Sequence, residues 1–277
     1  MSVSTPFSVA MSVYHKDNAE FFDRAMASIT SLQSVMPEEI VLVADGPLND
    51  TLDAVIKKYE ALYPAVMTVV RLPENKGLGN ALKVATETAR NELVARMDSD
   101  DVSLPSRFSS QLSAFEGDPS LDIIGGDISE FVDEEENIVA QRRVPVTNEE
   151  IYEYMKTRCP LNHVSVMFKK SAVTAAGGYL DLFWNEDYYL WIRMAEKNAK
   201  MANTGTVLVN VRTGRDMYRR RGGKPYFKSE KFLQKYMRER KMISRRTYLM
   251  NVAKRFIVQR MLPNRLRGWV FRTFARR

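Results

Sequence analysis

Four short apolar runs separated by three amphipathic stretches fill the first hundred residues, and this alternation constrains the fold more than any other feature. The runs are Phe7–Tyr14, Glu39–Ala44, Val66–Leu72 and Glu92–Met97; between them lie Ala19–Leu32, Thr51–Leu62 and Gly77–Arg90. Strand-length runs alternating with helix-length stretches predict parallel strands joined by crossover helices, an open α/β sheet covered on both faces. This is the nucleotide-binding pattern. The continuation is less regular. A helix is expected over Pro105–Phe115 and a short strand over Asp122–Gly125. Ile128–Val132 and Ile138–Arg143 read as a hairpin around the acidic turn 133–137. Further on come a helix at Asn148–Lys156, a strand at Val164–Phe168, a helix at Lys170–Ala176 closed by Gly177-Gly178, a helix at Glu186–Asn198 and a strand at Val207–Arg212. No internal repeat or low-complexity linker interrupts this body. Residues 1–223 are therefore read as one α/β unit of two halves, 1–101 and 102–223, followed by a basic helical extension over 224–277.

The fourth run ends abruptly in Val94-Ala95-Arg96-Met97-Asp98-Ser99-Asp100-Asp101. Three carboxylates at the C-terminal end of a buried parallel strand stand where open α/β sheets bind ligands. Their mutual repulsion needs a cation or hydrogen-bond donors to relieve it. Hard oxygen ligands suit Mg²⁺ or Mn²⁺, ions that usually arrive with a phosphate-bearing substrate. A solvated loop whose acids cap the following helix is the competing reading.

Composition narrows the classes. A single cysteine, Cys159, excludes an internal disulfide framework and fits a reducing compartment, and two histidines, His15 and His163, argue against a His-rich zinc site. The N-terminus lacks the basic flank and apolar core of a signal peptide, and no run of about 18 apolar residues spans a membrane. The net charge of +7 hides an asymmetry: residues 212–277 hold 22 Lys and Arg against 3 Asp and Glu, leaving −12 on the remainder. A basic tail on an acidic body is expected to meet an anionic surface.

Individual residues read two ways. Asp45, between a buried strand and Gly46-Pro47, is locally a turn residue of the Asx type. Gly77-Leu78-Gly79-Asn80-Ala81-Leu82 half-matches a dinucleotide fingerprint but follows the third strand and ends in Leu82, which disfavours a dehydrogenase. In Trp184-Asn185-Glu186-Asp187-Tyr188, Asn185 is a credible N-cap and the acids favour the helix dipole. Trp184, Tyr188 and Trp191 suit either core packing or stacking on a sugar face. His163 reads as a hydrogen-bonded structural residue or as a neighbour of a diphosphate or acceptor. Arg219-Arg220-Arg221-Gly222-Gly223 is a solvated charge run or a loop that folds over a diphosphate.

Together these stretches resemble the family 2 glycosyltransferases of the GT-A fold, over roughly residues 7–223. Asp45 matches the family's nucleobase-holding Asp, and Asn75-Lys76-Gly77 its helix-opening nucleotide segment. Asp98-Ser99-Asp100 matches the Asp-x-Asp metal motif. Glu186-Asp187 with Leu190 and Arg193 matches the catalytic helix start. The resemblance implies a GT-A sheet, mixed but mainly parallel and flanked by helices, in which 1–101 binds the nucleotide and 102–223 the acceptor. It implies a nucleotide-sugar site of Tyr14, Asp45, Asn75, Lys76, Gly77, Asp98 and Asp100. A Mn²⁺ or Mg²⁺ ion would sit on Asp100 and Asp98, and Asp187 would be the catalytic base of an inverting transfer. His163, Trp184, Glu186 and Arg219–Arg221 would lie near acceptor or diphosphate. The donor is expected to be a UDP-sugar and the acceptor a glycan, lipid-linked, in polysaccharide biosynthesis.

The tail interleaves Lys and Arg with Tyr248, Leu249, Val252, Phe256 and Ile257, and after Pro263 with Leu266, Trp269, Val270, Phe271 and Phe274. That is the composition of a helix lying in a membrane interface; packing onto the body is the alternative. No nucleic-acid module is visible. The expected location is cytoplasmic, peripheral to the inner face of the cell membrane. A sugar nucleotidyltransferase is disfavoured because Tyr14-His15-Lys16-Asp17-Asn18 has no glycine. A non-enzymatic basic adaptor would leave the carboxylate sites unexplained.

Overall fold

The computed structural model describes residues 5–214 and 223–261. Its centre is a nine-stranded mixed sheet in the order β3-β2-β1-β4-β8-β6-β9-β5, with β7 beside β6. Strands β1 (Phe7–Val13), β2 (Glu39–Ala44), β3 (Met67–Arg71) and β4 (Leu93–Met97) pair in parallel and are linked by α1 (Ala19–Ile29), α2 (Asp50–Leu62) and α3 (Leu78–Thr88). Alternation within these strands feeds two cores. Val9, Met11, Ile40 and Leu42 meet Phe22, Met26, Leu52 and Ile56 on one face. Ala10, Val41 and Val43 meet Ala81, Leu82 and Ala85 on the other. Asn18 starts α1 by accepting the Glu20 and Phe21 amides, and Asn49 starts α2 by accepting that of Leu52.

The second half departs from the expected elements in four places. β5 (Val102–Ser103), unforeseen, runs antiparallel to β9. The short strand and the first arm of the hairpin are one strand, β6 (Ile123–Phe131), which pairs antiparallel with β7 (Ile138–Arg142). Gly125 and Gly126 look like a break but mark a close approach. A Cβ at Gly125 would meet Asn203 Oδ1 at 2.5 Å, and one at Gly126 would meet Leu208 Cδ1 at 2.6 Å. β9 is correspondingly long, Met201–Arg212, and lies parallel to β6 with register shifts on either side of Asp127. Finally, His163–Ser165 is a 3₁₀ turn and only Met167–Lys169 forms β8, antiparallel to β4 and β6. Asn162 Nδ2 donates to Gly126 O at 2.8 Å and the Gly126 amide donates to Ser165 Oγ at 3.1 Å, which bends this segment.

Helices α4 (Arg107–Gly117), α5 (Asn148–Met155), α6 (Lys170–Ala175) and α7 (Glu186–Glu196) complete the body. The basic extension forms α8 (Lys224–Glu239) and α9 (Arg245–Phe256), ending in a π-helical turn, Ile257–Met261. Leu233, Met237 and Ile243 are buried with Tyr188 and Trp191, so packing onto the body claims part of the extension. Leu249, Met250, Phe256 and Ile257 remain exposed. No helix among the described residues is long and apolar enough to cross a membrane.

Candidate active site

One side of the candidate site is built where β2 ends. Asp45 is 2% exposed, and its two carboxylate oxygens accept the Lys76 and Gly77 amides at 2.8 and 2.9 Å. Asn75 Nδ2 closes the loop on Asp45 O at 3.2 Å. Asp45, Asn75, Lys76 and Gly77 are therefore one unit, with Asp45 as its staple. Gly46 is required here: at φ +88° a Cβ would lie 2.7 Å from Asn75 N. Lys76 reaches outward to Glu74 at 3.3 Å. Tyr14 stands partly exposed past β1, its amide donating to Asp17 Oδ2 at 3.1 Å.

The acid cluster divides its labour. Asp98 is gripped by both terminal nitrogens of Arg96, which is 2% exposed at the end of β4. Burial opposes the Arg96 charge, but the Asp98 carboxylate more than offsets it and holds the guanidinium pKa above its usual value. Asp101 is buried and accepts the Arg212 amide at 2.8 Å, tying the loop to the end of β9; burial and then the Asp100 charge push its carboxyl well up. The Arg212 guanidinium lies over Phe21 and Phe131, 3.7 and 4.6 Å from their ring centres. Asp100 stands exposed at the rim, and among the described residues no basic side chain pairs with its carboxylate. Desolvation by the surrounding walls, then the charges of Asp98 and Asp17, raise its carboxyl to about 6.

Sequence reasoning passed over Asp17, Arg96 and Arg107. Ser99 Oγ donates to Asp17 Oδ2 at 2.7 Å, placing a fourth carboxylate beside the cluster. Arg107, wholly buried, donates to Arg96 O at 2.6 Å, and burial followed by the Arg96 charge lowers it to about 9. Only the helical phase of Arg107, level with Phe108 and Gln111, hinted at burial.

On the other side, Glu186 and Asp187 open α7. Burial raises both carboxyls; Glu186, beside the Asp187 charge, reaches about 7. The Cys159 thiol donates to Asp187 Oδ2 at 3.7 Å. Asn185 is the N-cap residue but makes no side-chain cap; its Nδ2 donates to Ser229 Oγ on α8 at 2.8 Å. Arg193 holds Ala176 O and Gly178 O at 2.6 and 2.8 Å, a structural task. His163 Nε2 pairs with Tyr179 Oη at 3.0 Å, and burial, then the Arg96 charge, drives its pKa far below the usual value, so the ring is neutral. Tyr188 and Trp191 are core residues. Trp184 is 47% exposed, stacked on Phe183 at 4.7 Å, with a left-handed backbone at φ +54°. Arg219, Arg220 and Arg221 lie outside the described residues.

The two sides meet at Gly79. A Cβ there would touch Glu186 Cβ at 3.5 Å, so the start of α3 packs against the start of α7. Arg96 acts on both: its charge lowers the pKa of Asp100 and of Glu186 and Asp187 alike.

A divalent cation fits this donor set in a limited way. No three His, Cys, Asp or Glu side chains among the described residues form a cage. Asp100 is an open, anionic carboxylate crowded by like charges, which a cation would relieve. Mg²⁺-type ions commonly take one or two carboxylates and complete their shell with water and phosphate.

Among solved structures, S. aureus TarS (residues 1–349) aligns with a TM-score of 0.65 at 16% identity, covering 96% of this chain and 74% of that one. GalNAc-T7, solved with UDP, GalNAc and Mn²⁺, aligns at 0.66 and 15% identity, covering 98% and 54%. The fold is that of the GT-A class. An uncharacterised glycosyltransferase of Haemophilus influenzae is 39% identical over 271 residues, 98% of this chain and 99% of its own. The UDP-Gal:alpha-D-GlcNAc-diphosphoundecaprenol beta-1,3-galactosyltransferase of Escherichia coli is 33% identical over 278 residues, 100% and 99% of the two chains. The amylovoran biosynthesis glycosyltransferase AmsE of Erwinia amylovora is 38% identical over 224 residues, 81% and 82%. Residues 8–176 match the model of glycosyl transferase family 2, and the chain belongs to that family. The adaptor and nucleotidyltransferase alternatives are thereby set aside.

Proposed function

We propose that this enzyme is an inverting transferase that moves a sugar from a UDP-sugar to a hydroxyl of a lipid-linked glycan during polysaccharide assembly. The observation that carries the reading is the Gly79–Glu186 contact, which sets the carboxylate pair of α7 against the nucleotide-side loop. The named substrates of the E. coli relative and the pathway of the Erwinia relative support the donor, the acceptor type and the process.

The stapled loop of Asp45, Asn75, Lys76 and Gly77, together with Tyr14 past the end of β1, forms the wall for the nucleotide. Asp187 takes the proton of the acceptor hydroxyl as its oxygen attacks the anomeric carbon. The bond from that carbon to the diphosphate breaks with inversion, and the nucleoside diphosphate leaves. Glu186, titrating near 7, supplies a neutral hydrogen-bond donor or a second acceptor for the sugar. Asp100 and Asp98 would hold Mn²⁺ or Mg²⁺, which when bound neutralises charge developing on the leaving group. Trp184 offers an exposed ring for the acceptor sugar face, and Arg219–Arg221 are assigned to the diphosphate. The exposed Leu249 and Phe256 on α9 and Ile257 on the π-helical turn, with Arg246, Lys254 and Arg260 on the same two elements, rest on an anionic cytoplasmic membrane face.

Calorimetric titration with UDP, with and without Mn²⁺, tests the donor assignment. Metal-dependent binding that Asp100→Asn weakens is expected; equal affinity in both proteins removes Asp100 from the site. Vesicle sedimentation tests the membrane contact. Truncation at residue 245 should release the protein from anionic vesicles, at about 1 kcal/mol per basic residue near the surface.

A further inference from the structure

We infer that the two C-terminal helices belong to the catalytic machinery as a brace, and that Asn251, Arg255 and Cys159 position the Asp187 carboxylate. The inference rests on the assignment of Asp187 as the base. It gives a role to a region that begins well past residue 176, where the family match ends.

The brace can be followed bond by bond. From α9, Asn251 Nδ2 donates to Lys156 O at 2.9 Å and Arg255 donates to Thr157 O at 2.7 Å. Arg255 is itself fixed by an ion pair with Glu230 of α8, and Asn251 by Gln234 Oε1 at 2.8 Å. These contacts pin the turn that leaves α5, and Cys159 is the next residue but one. Arg142 of β7 donates to Cys159 O at 2.8 Å from the opposite side. The thiol then faces Leu161 O at 3.3 Å and Asp187 Oδ2 at 3.7 Å, sharing one proton between a carbonyl and the carboxylate. Burial, then the Asp187 charge, push the thiol pKa up, so it stays protonated and acts as a donor only. Two further contacts hold α7 itself: Asn185 to Ser229 of α8, and Tyr188 Oη to Met155 O. Both the carboxylate and its thiol neighbour therefore take their positions from α8 and α9.

The groups acting on Asp187 are Glu186 and Tyr188 on its own helix, Cys159 after α5, Arg142 on β7, Arg96 on β4 and Tyr179 after α6. Of these, the Tyr188 backbone amide, Arg142, Arg96 and the thiol, in that order, favour its ionised form. Loss of the thiol should move the acid limb of the rate profile to higher pH.

The test uses the full chain and its single cysteine. Reaction of Cys159 with an aromatic disulfide reagent reports the brace, and UDP release from the best of UDP-galactose, UDP-glucose and UDP-N-acetylglucosamine reports turnover. Asn251→Ala and Arg255→Ala should speed thiol reaction by at least about tenfold and cut kcat by about tenfold, with UDP affinity unchanged, since 1 Å of misplacement is worth up to ~100-fold. Cys159→Ala should shift the acid limb upward while keeping the fold. Unchanged kcat and thiol rate in both helix variants overturn the brace, as does an unmoved pH profile in Cys159→Ala. If the helix variants fail to fold, the Cys159→Ala profile decides. Asp187→Asn separates the premises: wild-type turnover there sinks the base assignment and the brace with it, whereas a dead Asp187→Asn beside silent brace variants sinks the brace alone.

Discussion

The two halves of the sheet are built on different rules. From β1 to β3 each strand lies beside the next in sequence, β4 returns to pair with β1, every pair is parallel, and α3 packs chiefly across β1 and β2. From β5 to β9, the β6–β7 hairpin apart, the neighbours come from distant parts of the chain, β6 lies between β8 and β9, and parallel and antiparallel pairs mix. Under the proposed reading the first half supplies the wall for a nucleotide, and the second half holds the reacting carboxylates on elements fixed by long-range polar contacts. Regular parallel order would then go with binding, and long-range assembly with catalysis.

The sharpest test of that division is Asp187→Asn. Turnover should fall by about 10²–10⁴-fold, while UDP affinity stays at the wild-type value because the nucleotide wall is untouched. A matching loss of UDP affinity, measured by calorimetry, would dissolve the distinction between the halves. Asp98→Asn probes the first half in turn. It leaves Arg96, 2% exposed, without its counter-charge. A broken buried pair costs about 3–5 kcal/mol, and the lower end applies because Asp98 is itself a third exposed. The double variant Arg96→Met/Asp98→Asn should recover much of that loss in urea melts.

A smaller effect is expected at the seam of the second half. Gly126→Ala pushes a Cβ to 2.6 Å from Leu208 and 2.8 Å from Thr204 Oγ1, so β9 must yield. Overpacking of this kind costs about 1–3 kcal/mol, and the melting temperature reads it. The smallest effect is a slope. Burial and the Asp187 charge hold the Glu186 carboxyl at about 7 in the folded protein, above the ~4.3 of an unfolded chain. Folding therefore gains from protonated Glu186 at low pH and loses that gain as pH rises through 7. Urea midpoints at pH 5 and pH 8 should differ more in wild type than in Glu186→Gln.

These sites also mark how far the sequence was legible. The first half was readable because period and burial agree: Val9 and Met11 face one core, Ala10 the other, and the helix between repeats the pattern. The acid cluster and Glu186-Asp187 stood out because carboxylates seldom follow buried runs. What was not readable depended on partners far along the chain. Gly125-Gly126 looked like a break because nothing nearby announces that β9 crosses there. Asn185 looked like a cap because Ser229, its partner, is 44 residues away. Arg96 looked like one more strand residue because its charge is neutralised two positions later, across the strand end.

The two amides held by Asp45 carry one more consequence. Lys76 and Gly77 sit in a surface loop, where backbone hydrogens ordinarily exchange with solvent quickly. Here each is bonded to a carboxylate oxygen that is itself shut away from water. Their exchange must wait until Asp45 lets go. Two neighbouring slow hydrogens in a fast-exchanging loop would then time the opening of the loop that Asp45 staples, with no substrate, metal or assay required.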